Sequence, residues 1–262
     1  ELIYAMGSML SLSSPEDIMK LLLVTEKQGW DVISLGCTLA WATESFLRGN
    51  LSLEETGGLS LSFGDGAAYL EVLERMAKER GEFYRDLEKG CAFCAGKYGG
   101  EEWAVQYGGA EPGGYMTGEN FAVTCMMGVR HSHLDDTGYS IDQKLLNAGQ
   151  PLEDQVRAQV KEAQWRMVLN SLMICLFARG VYDEEVILRG LDALGLEWNP
   201  EKLHAMSEKA LLRKYDWKAL CGFDHRSVRI PEKMYSVQTA TGLIGRESLE
   251  ERLRLYRKFA GL

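Results

Sequence analysis

The apolar positions of the chain fall in blocks whose spacing suits one face of a helix, and helix punctuation closes the blocks. In "SSPEDIMKLLLVTEKQG", Ser14 stands at an N-cap, Pro15 at the first helical position, Glu16 and Asp17 in the first turn and Gly29 at the stop. "DVISLGCTLAWATESFLRG" follows at once and ends at Gly49. The same signals predict helices over 66–80 and 82–98, stopping at Gly81 and at Gly99-Gly100, and then over 153–179, 183–194, 200–221 and 248–259. The segment 101–150 breaks the pattern: with "GGAEPGGYMTG" and "HSHLDDTG" it reads as mostly loop, and so long a loop in a compact domain is usually functional. No stretch alternates convincingly as a strand. The predicted class is all-α and multihelical, with under about a tenth of residues in strand. Two packed helical domains fit best, 1–105 and 106–262.

Composition narrows the function without naming it. The chain is 46% hydrophobic and 26% charged, and its net charge of −9 argues against a nucleic-acid or anionic-membrane surface. Its apolar runs fall short of the roughly 20 residues that span a bilayer. Six cysteines are too sparse for a disulfide framework, so reduced thiols or cofactor ligation in a cytoplasmic protein are expected. The chain opens at Glu1 without an initiator methionine, which suggests a piece of a longer protein.

Four places carry candidate chemistry. Cys91 and Cys94 form a CxxC inside a predicted helix with no second CxxC and no nearby histidine, which favours packing. "GVRHSHLDD" crowds Arg130, His131, His133, Asp135 and Asp136 into a glycine-rich loop, either a catalytic cluster on a helical scaffold or a solvated turn. Asp31 either caps the second helix or accepts N–H groups from a heterocycle. Cys175 lies in the apolar run "VLNSLMICLFARG", where the plain reading is a small buried hydrophobe inside a helix.

"EKQGWDVISLG" and "LNSLMIC" together resemble the two cofactor-binding motifs, Asp-x-x-Gly-Leu-Asp and Asp-x-x-Gly-Leu-Cys, of the tungsten-dependent aldehyde ferredoxin oxidoreductases. Flanking stretches agree in order: Glu1-Leu-Ile-Tyr-Ala-Met-Gly-Ser, "LAWATESFLRG", "LSFGD", "LEKG" and "CGFDHRSVRIPEKM" all resemble segments of that family, so the likeness spans nearly the whole chain. It implies the two carboxy-terminal helical domains of such an enzyme, without the amino-terminal domain that cradles the pterins. By the resemblance, Glu1 and His131 are catalytic groups near the metal. Glu26, Asp31 and Asn170 meet the pterin, whose N–H-rich edge suits carboxylate and carboxamide acceptors. Cys175 ligates a [4Fe–4S] cluster.

The implied cofactors are a tungsten or molybdenum bis-pterin and that cluster. The implied partners are ferredoxin, a small-molecule aldehyde, the amino-terminal domain and a second copy of the chain, with no nucleic acid and no membrane. The implied reaction oxidises an aldehyde to a carboxylic acid. The chain departs from the motifs at Glu26, Trp30, Asn170, Met173 and Ile174. "QYGGAEPGGYMTG" also lacks the Lys and Arg that many relatives carry there, which leaves the substrate open. These departures motivate two rival readings: another, reductive reaction within the family, or a helical interaction protein that has lost its cofactor.

Overall fold

Five of the helix starts read from the sequence, those of the helices beginning near 15, 32, 66, 184 and 200, are closed by side-chain caps, each satisfying one of the amide groups that a helix leaves unpaired at its N-terminus. In the computed structural model, which describes residues 1–145 and 149–262, Ser14 Oγ accepts the N–H of Asp17 at 3.2 Å and Asn199 Oδ1 that of Lys202 at 2.9 Å. Asp65 and Asp183 do the same at 2.9 Å for Ala68 and Val186. The described residues form twelve α-helices and no strand, with two isolated bridges at Tyr107–Ala110 and Thr239–Gly242. The all-α expectation holds. Among the described residues no helix is long and apolar enough to cross a membrane.

The chain divides into two compact units. The first comprises 1–116 and 228–244 and carries α1 (Leu2–Met6), α2 (Pro15–Gln28), α3 (Val32–Leu47), α4 (Gly66–Ala77), α5 (Glu82–Leu87) and α6 (Cys91–Tyr98). Its core joins Met6, Leu21, Leu39, Trp41, Tyr69 and Tyr84. The short α1 can lie against α3 because Gly36 faces it: a Cβ there would stand 2.5 Å from the Ala5 carbonyl oxygen. Residues 106–116, which the sequence reading places in the second domain, group with this first unit, as does 228–244. Glu111 reaches back to accept the N–H of Cys91 at 2.8 Å, and the N–H of Lys233 is donated to the Glu102 carbonyl at 2.9 Å.

The second unit comprises 117–227 and 245–262, with α7 (Glu119–Met127), α8 (Gly138–Leu145), α9 (Leu152–Ser171), α10 (Glu184–Ala193), α11 (Pro200–Leu220) and α12 (Arg246–Ala260). Helix α9 packs against α11 and α12, burying Ala163, Met167, Leu211 and Tyr215. Asp142 on α8 caps α7, accepting the N–H groups of Asn120 and Phe121 at 3.2 and 2.9 Å. Arg252 on α12 ties Glu119, Asn120 and Gln155 together at 2.8–2.9 Å.

Three sequence expectations need correction. The segment 101–150 holds two helices: α7 is buried from Asn120 to Met127, so it presents no solvent-facing polar stripe and little amphipathic period to read. The helix expected over 82–98 is two, α5 and α6, separated at Gly90, whose φ of +86° no helix continues through. The helix expected over 153–179 ends at Ser171, because Met173 adopts φ +55° and turns the chain.

Candidate functional site

The two motif segments fold into the same device. At the end of α2, Gly29 takes φ +75°, its N–H bonding the Glu26 carbonyl at 3.1 Å and the next N–H, of Trp30, bonding that of Thr25 at 3.2 Å. At the end of α9, Met173 takes φ +55°, its N–H bonding the Asn170 carbonyl at 3.1 Å and that of Ile174 bonding Leu169 at 2.9 Å. Both are left-handed helix stops in which consecutive amides fold back onto the last carbonyls. Each is followed by an extended residue that begins the next turn of helix, Asp31 (φ −69°, ψ 119°) before α3 and Cys175 (φ −61°, ψ 133°) before a short 3-10 turn at Leu176–Ala178. The motif glycine is therefore a conformational requirement. At 173 the chain meets it with methionine, against a cost of about 1–2 kcal/mol for an L-residue held there.

Each device sets an acceptor pair at an exposed corner. Glu26 and Asp31 flank the first stop and are exposed, and Asp31 also caps α3 through Ser34 N–H at 2.7 Å, so the capping alternative is realised. Asn170 and Cys175 flank the second, both exposed. Cys175 is thus neither helical nor buried. Its neighbours Met173 and Phe177 are each 92% exposed, so the apolar run that suggested a core helix is a surface turn. Glu1 stands just before α1, exposed, with Oε1 accepting a hydrogen bond from Tyr115 Oη at 3.1 Å. Glu1, Glu26 and Asp31 belong to the first unit, and His131, Asn170 and Cys175 to the second.

His131 is built differently. It is buried and follows α7 on a tight loop, its N–H bonding the Gly128 carbonyl at 3.0 Å, with φ +55°. Gly128 admits no side chain, since a Cβ would stand 2.4 Å from Asp135 Oδ2 and 2.5 Å from the Thr124 carbonyl. Asp135 holds the loop shut, its buried carboxylate accepting from the amides of Arg130 and Ser132 at 2.9 and 3.1 Å and from Arg130 Nε at 2.7 Å.

The imidazole Nδ1 lies 2.8 Å from the Cys125 carbonyl, one of the acceptors left over at the end of α7, and only a protonated Nδ1 can bond it. Nε2 then carries the lone pair and accepts from Lys218 Nζ at 2.8 Å. Phe223 covers both groups, its ring 4.8 Å from the imidazole and 3.8 Å from the ammonium. Gly222, at φ +83°, folds the chain back at the end of α11 so that the Phe223 N–H meets the Lys218 carbonyl at 3.0 Å. Burial, with the Lys218 charge second, pushes the His131 pKa below its ordinary value. Burial brings Lys218 down to about 8, while Asp135 pulls it back up. At neutral pH the site therefore pairs a neutral imidazole with a cation.

Lys218 and Tyr115 escape sequence reasoning. Lys218 is far from His131 along the chain and stands in no motif. Phe223 does leave a trace, as the aromatic of "CGFD". Cys91 and Cys94 are buried, and desolvation raises both thiols, that of Cys94 to about 12, so they are packed groups. Among the described residues no group of three or more His, Cys, Asp or Glu could hold a metal ion by itself.

No individual curated protein matches the sequence at a significant level. A model of one family does, over every residue from 1 to 262, and its description is aldehyde ferredoxin oxidoreductase, domains 2 & 3. The ordered motifs, the paired helix stops and this match agree: the chain belongs to the aldehyde ferredoxin oxidoreductase family.

Proposed function

We propose that the chain is the helical part of a cytoplasmic tungsten or molybdenum bis-pterin enzyme that oxidises an aldehyde. An aldehyde and water become a carboxylic acid, two protons and two electrons, and the electrons leave through a [4Fe–4S] cluster to ferredoxin. The observation that carries the reading is the pair of matched helix stops, each presenting polar side chains where the family's motifs have them.

The residues fit such groups. Cys175 offers an exposed sulfur on a turn, ringed by exposed apolar side chains that suit a covering cluster and partner domain. Glu26, Asp31 and Asn170 would accept the N–H groups of the pterins' amino-pyrimidine edges. The bound metal–pterin would supply the two-electron chemistry, and the protein position and field. By the family resemblance, Glu1 and His131 would each lie near the metal and manage protons of the reaction. His131 acts together with Lys218: Nε2 carries the lone pair facing the ammonium, so Lys218 Nζ would donate to a carbonyl oxygen while Nε2 would take up a proton.

The test is elemental analysis of the intact protein produced with tungstate and molybdate, alongside viologen-linked aldehyde oxidation. Iron and one of the two metals should be present, and Cys175→Ser should remove the iron. A protein that binds neither metal and no iron leaves the non-catalytic reading standing. A loaded protein that oxidises no aldehyde points to the reductive rival.

A further inference from the structure

The first unit holds a half-open pocket of about 200 Å³ between α3, the start of the chain, the 103–116 loop and the 233–237 segment. Its walls are apolar and largely aromatic or thioether: Met9, Trp41, Phe63, Trp103, Met116 and Met234. Ordinary ligand pockets have this character, an apolar lining with few polar groups. A cavity of about 150 Å³ is enough for a benzene ring, so this one has room for an aryl ring and the carbon attached to it.

Two features set what the cavity can take. The first is charge. Its one cation among the described lining residues, Lys233, is paired with Glu44, which also accepts from Arg48 Nη2 at 2.7 Å. No cation remains uncommitted to hold a phosphate or a carboxylate, so an uncharged ligand is favoured. The second is direction. Tyr115 lines the cavity and donates its hydroxyl hydrogen bond to Glu1 at 3.1 Å. Gly114 brings this loop close to the chain's start: at φ +83°, its Cβ would stand 2.7 Å from Met9 Cε.

We infer that this cavity is the subsite for the side group of the substrate, and that the substrate class is an uncharged aromatic aldehyde whose carbonyl lies toward the Tyr115–Glu1 pair. The inference rests on the aldehyde-oxidising reading above, but the cavity can be tested apart from it.

Ligand-observed saturation-transfer NMR on the intact protein, with or without its metals, would use benzyl alcohol as an unreactive neutral probe and ethanol as its small counterpart. Benzyl alcohol should give a saturable signal and ethanol none. Ala40→Phe, which fills the cavity from α3, should abolish that signal, and Phe63→Ala, which opens it, should weaken it; circular dichroism checks that both fold. In the loaded enzyme Ala40→Phe should lower kcat/KM for benzaldehyde relative to acetaldehyde by about tenfold or more, the scale on which a pocket discriminates apolar groups. Equal signals from the two alcohols, or a benzaldehyde preference unmoved by both variants, would overturn the inference. Ala40-dependent binding of benzyl alcohol in a protein without metal or aldehyde oxidation would instead remove the reading of the reaction and leave the cavity.

Discussion

Asp136 offers a sharp test of the electrostatics around the His131 loop. It is fully buried, with Oδ1 accepting from Thr124 Oγ1 and from the Gly138 N–H at 2.8 Å, while Oδ2 and the nearby network's Gln159 Oε1 have no hydrogen-bond partner within the protein. Burial, only partly offset by Thr124, the Gly138 amide and Arg166, raises its pKa from 3.8 to about 7. The folded state therefore holds a proton that the unfolded chain has released, and stability falls as pH rises from about 4 to about 7. Between about pH 5 and pH 8 the slope acts up to about pH 7 and removes roughly 3 kcal/mol, at about 1.4 kcal/mol per pH unit. Asp136→Asn keeps the shape and an acceptor oxygen, adds an N–H donor and removes the titration. The variant should then gain about 3 kcal/mol on the wild type between the two pH values, measured by urea unfolding at each. Asp142 and Glu111 are also raised by burial, and they cancel in this double difference because both proteins carry them. A variant equally destabilised at both pH values would show that the folded protein accommodates the ionised carboxylate, and the reasoning would fail.

Three further outcomes follow from the site. Lys218→Met removes a cation 2.8 Å from His131, so the imidazole's titration, followed by NMR of its ring protons, should move upward; an unchanged or lower midpoint would contradict the pairing. Met173→Gly relieves a left-handed L-residue that is 92% exposed and has little packing to lose. After glycine's own entropic cost it should stabilise by about 0.5–1 kcal/mol, read as a higher denaturant midpoint. Asp31→Ala should cost about 1 kcal/mol of stability through the lost cap while Asp31→Asn costs little, and only a cofactor role would make the asparagine variant lose metal.

How much of this is legible in the sequence depends on what each element shows to solvent. Helices α2 and α11 are bounded by Ser14-Pro15 and Asn199-Pro200, and their ends are read correctly. Helix α7 is buried all round, its polar Asn120 and Thr124 included, so no solvent-facing stripe marks it and the sequence reads as loop there. The run after Asn170 fails in the opposite direction: Leu172, Met173 and Phe177 look like a core helix, yet they lie on a surface turn whose left-handed residue is not glycine. The motif spacing points to the two corners that Glu26, Asp31, Asn170 and Cys175 flank, because a helix stop is local in sequence. Lys218 could not be found that way, since only the packing of α11 brings it to His131.

That difference separates what function and stability each demand of the site. Glu26, Asp31, Asn170 and Cys175 are exposed, and backbone hydrogen bonds at two helix ends hold their positions. Apart from the Asp31 cap, their side chains contribute little to the fold, so chemistry is free to vary there, as Glu26 and Asn170 do where the family's motif has aspartate. His131 is the reverse case. Its ring bonds the Cys125 carbonyl and Lys218, packs on Phe223, and sits on a loop closed by Asp135 over a glycine with no room for a side chain. Substituting it leaves a buried carbonyl and a half-buried ammonium short of a partner, at about 1–3 kcal/mol for each group. Loss of activity in a His131 variant is therefore evidence of catalysis only alongside a stability measurement, whereas loss of metal in a Cys175 variant can be read directly.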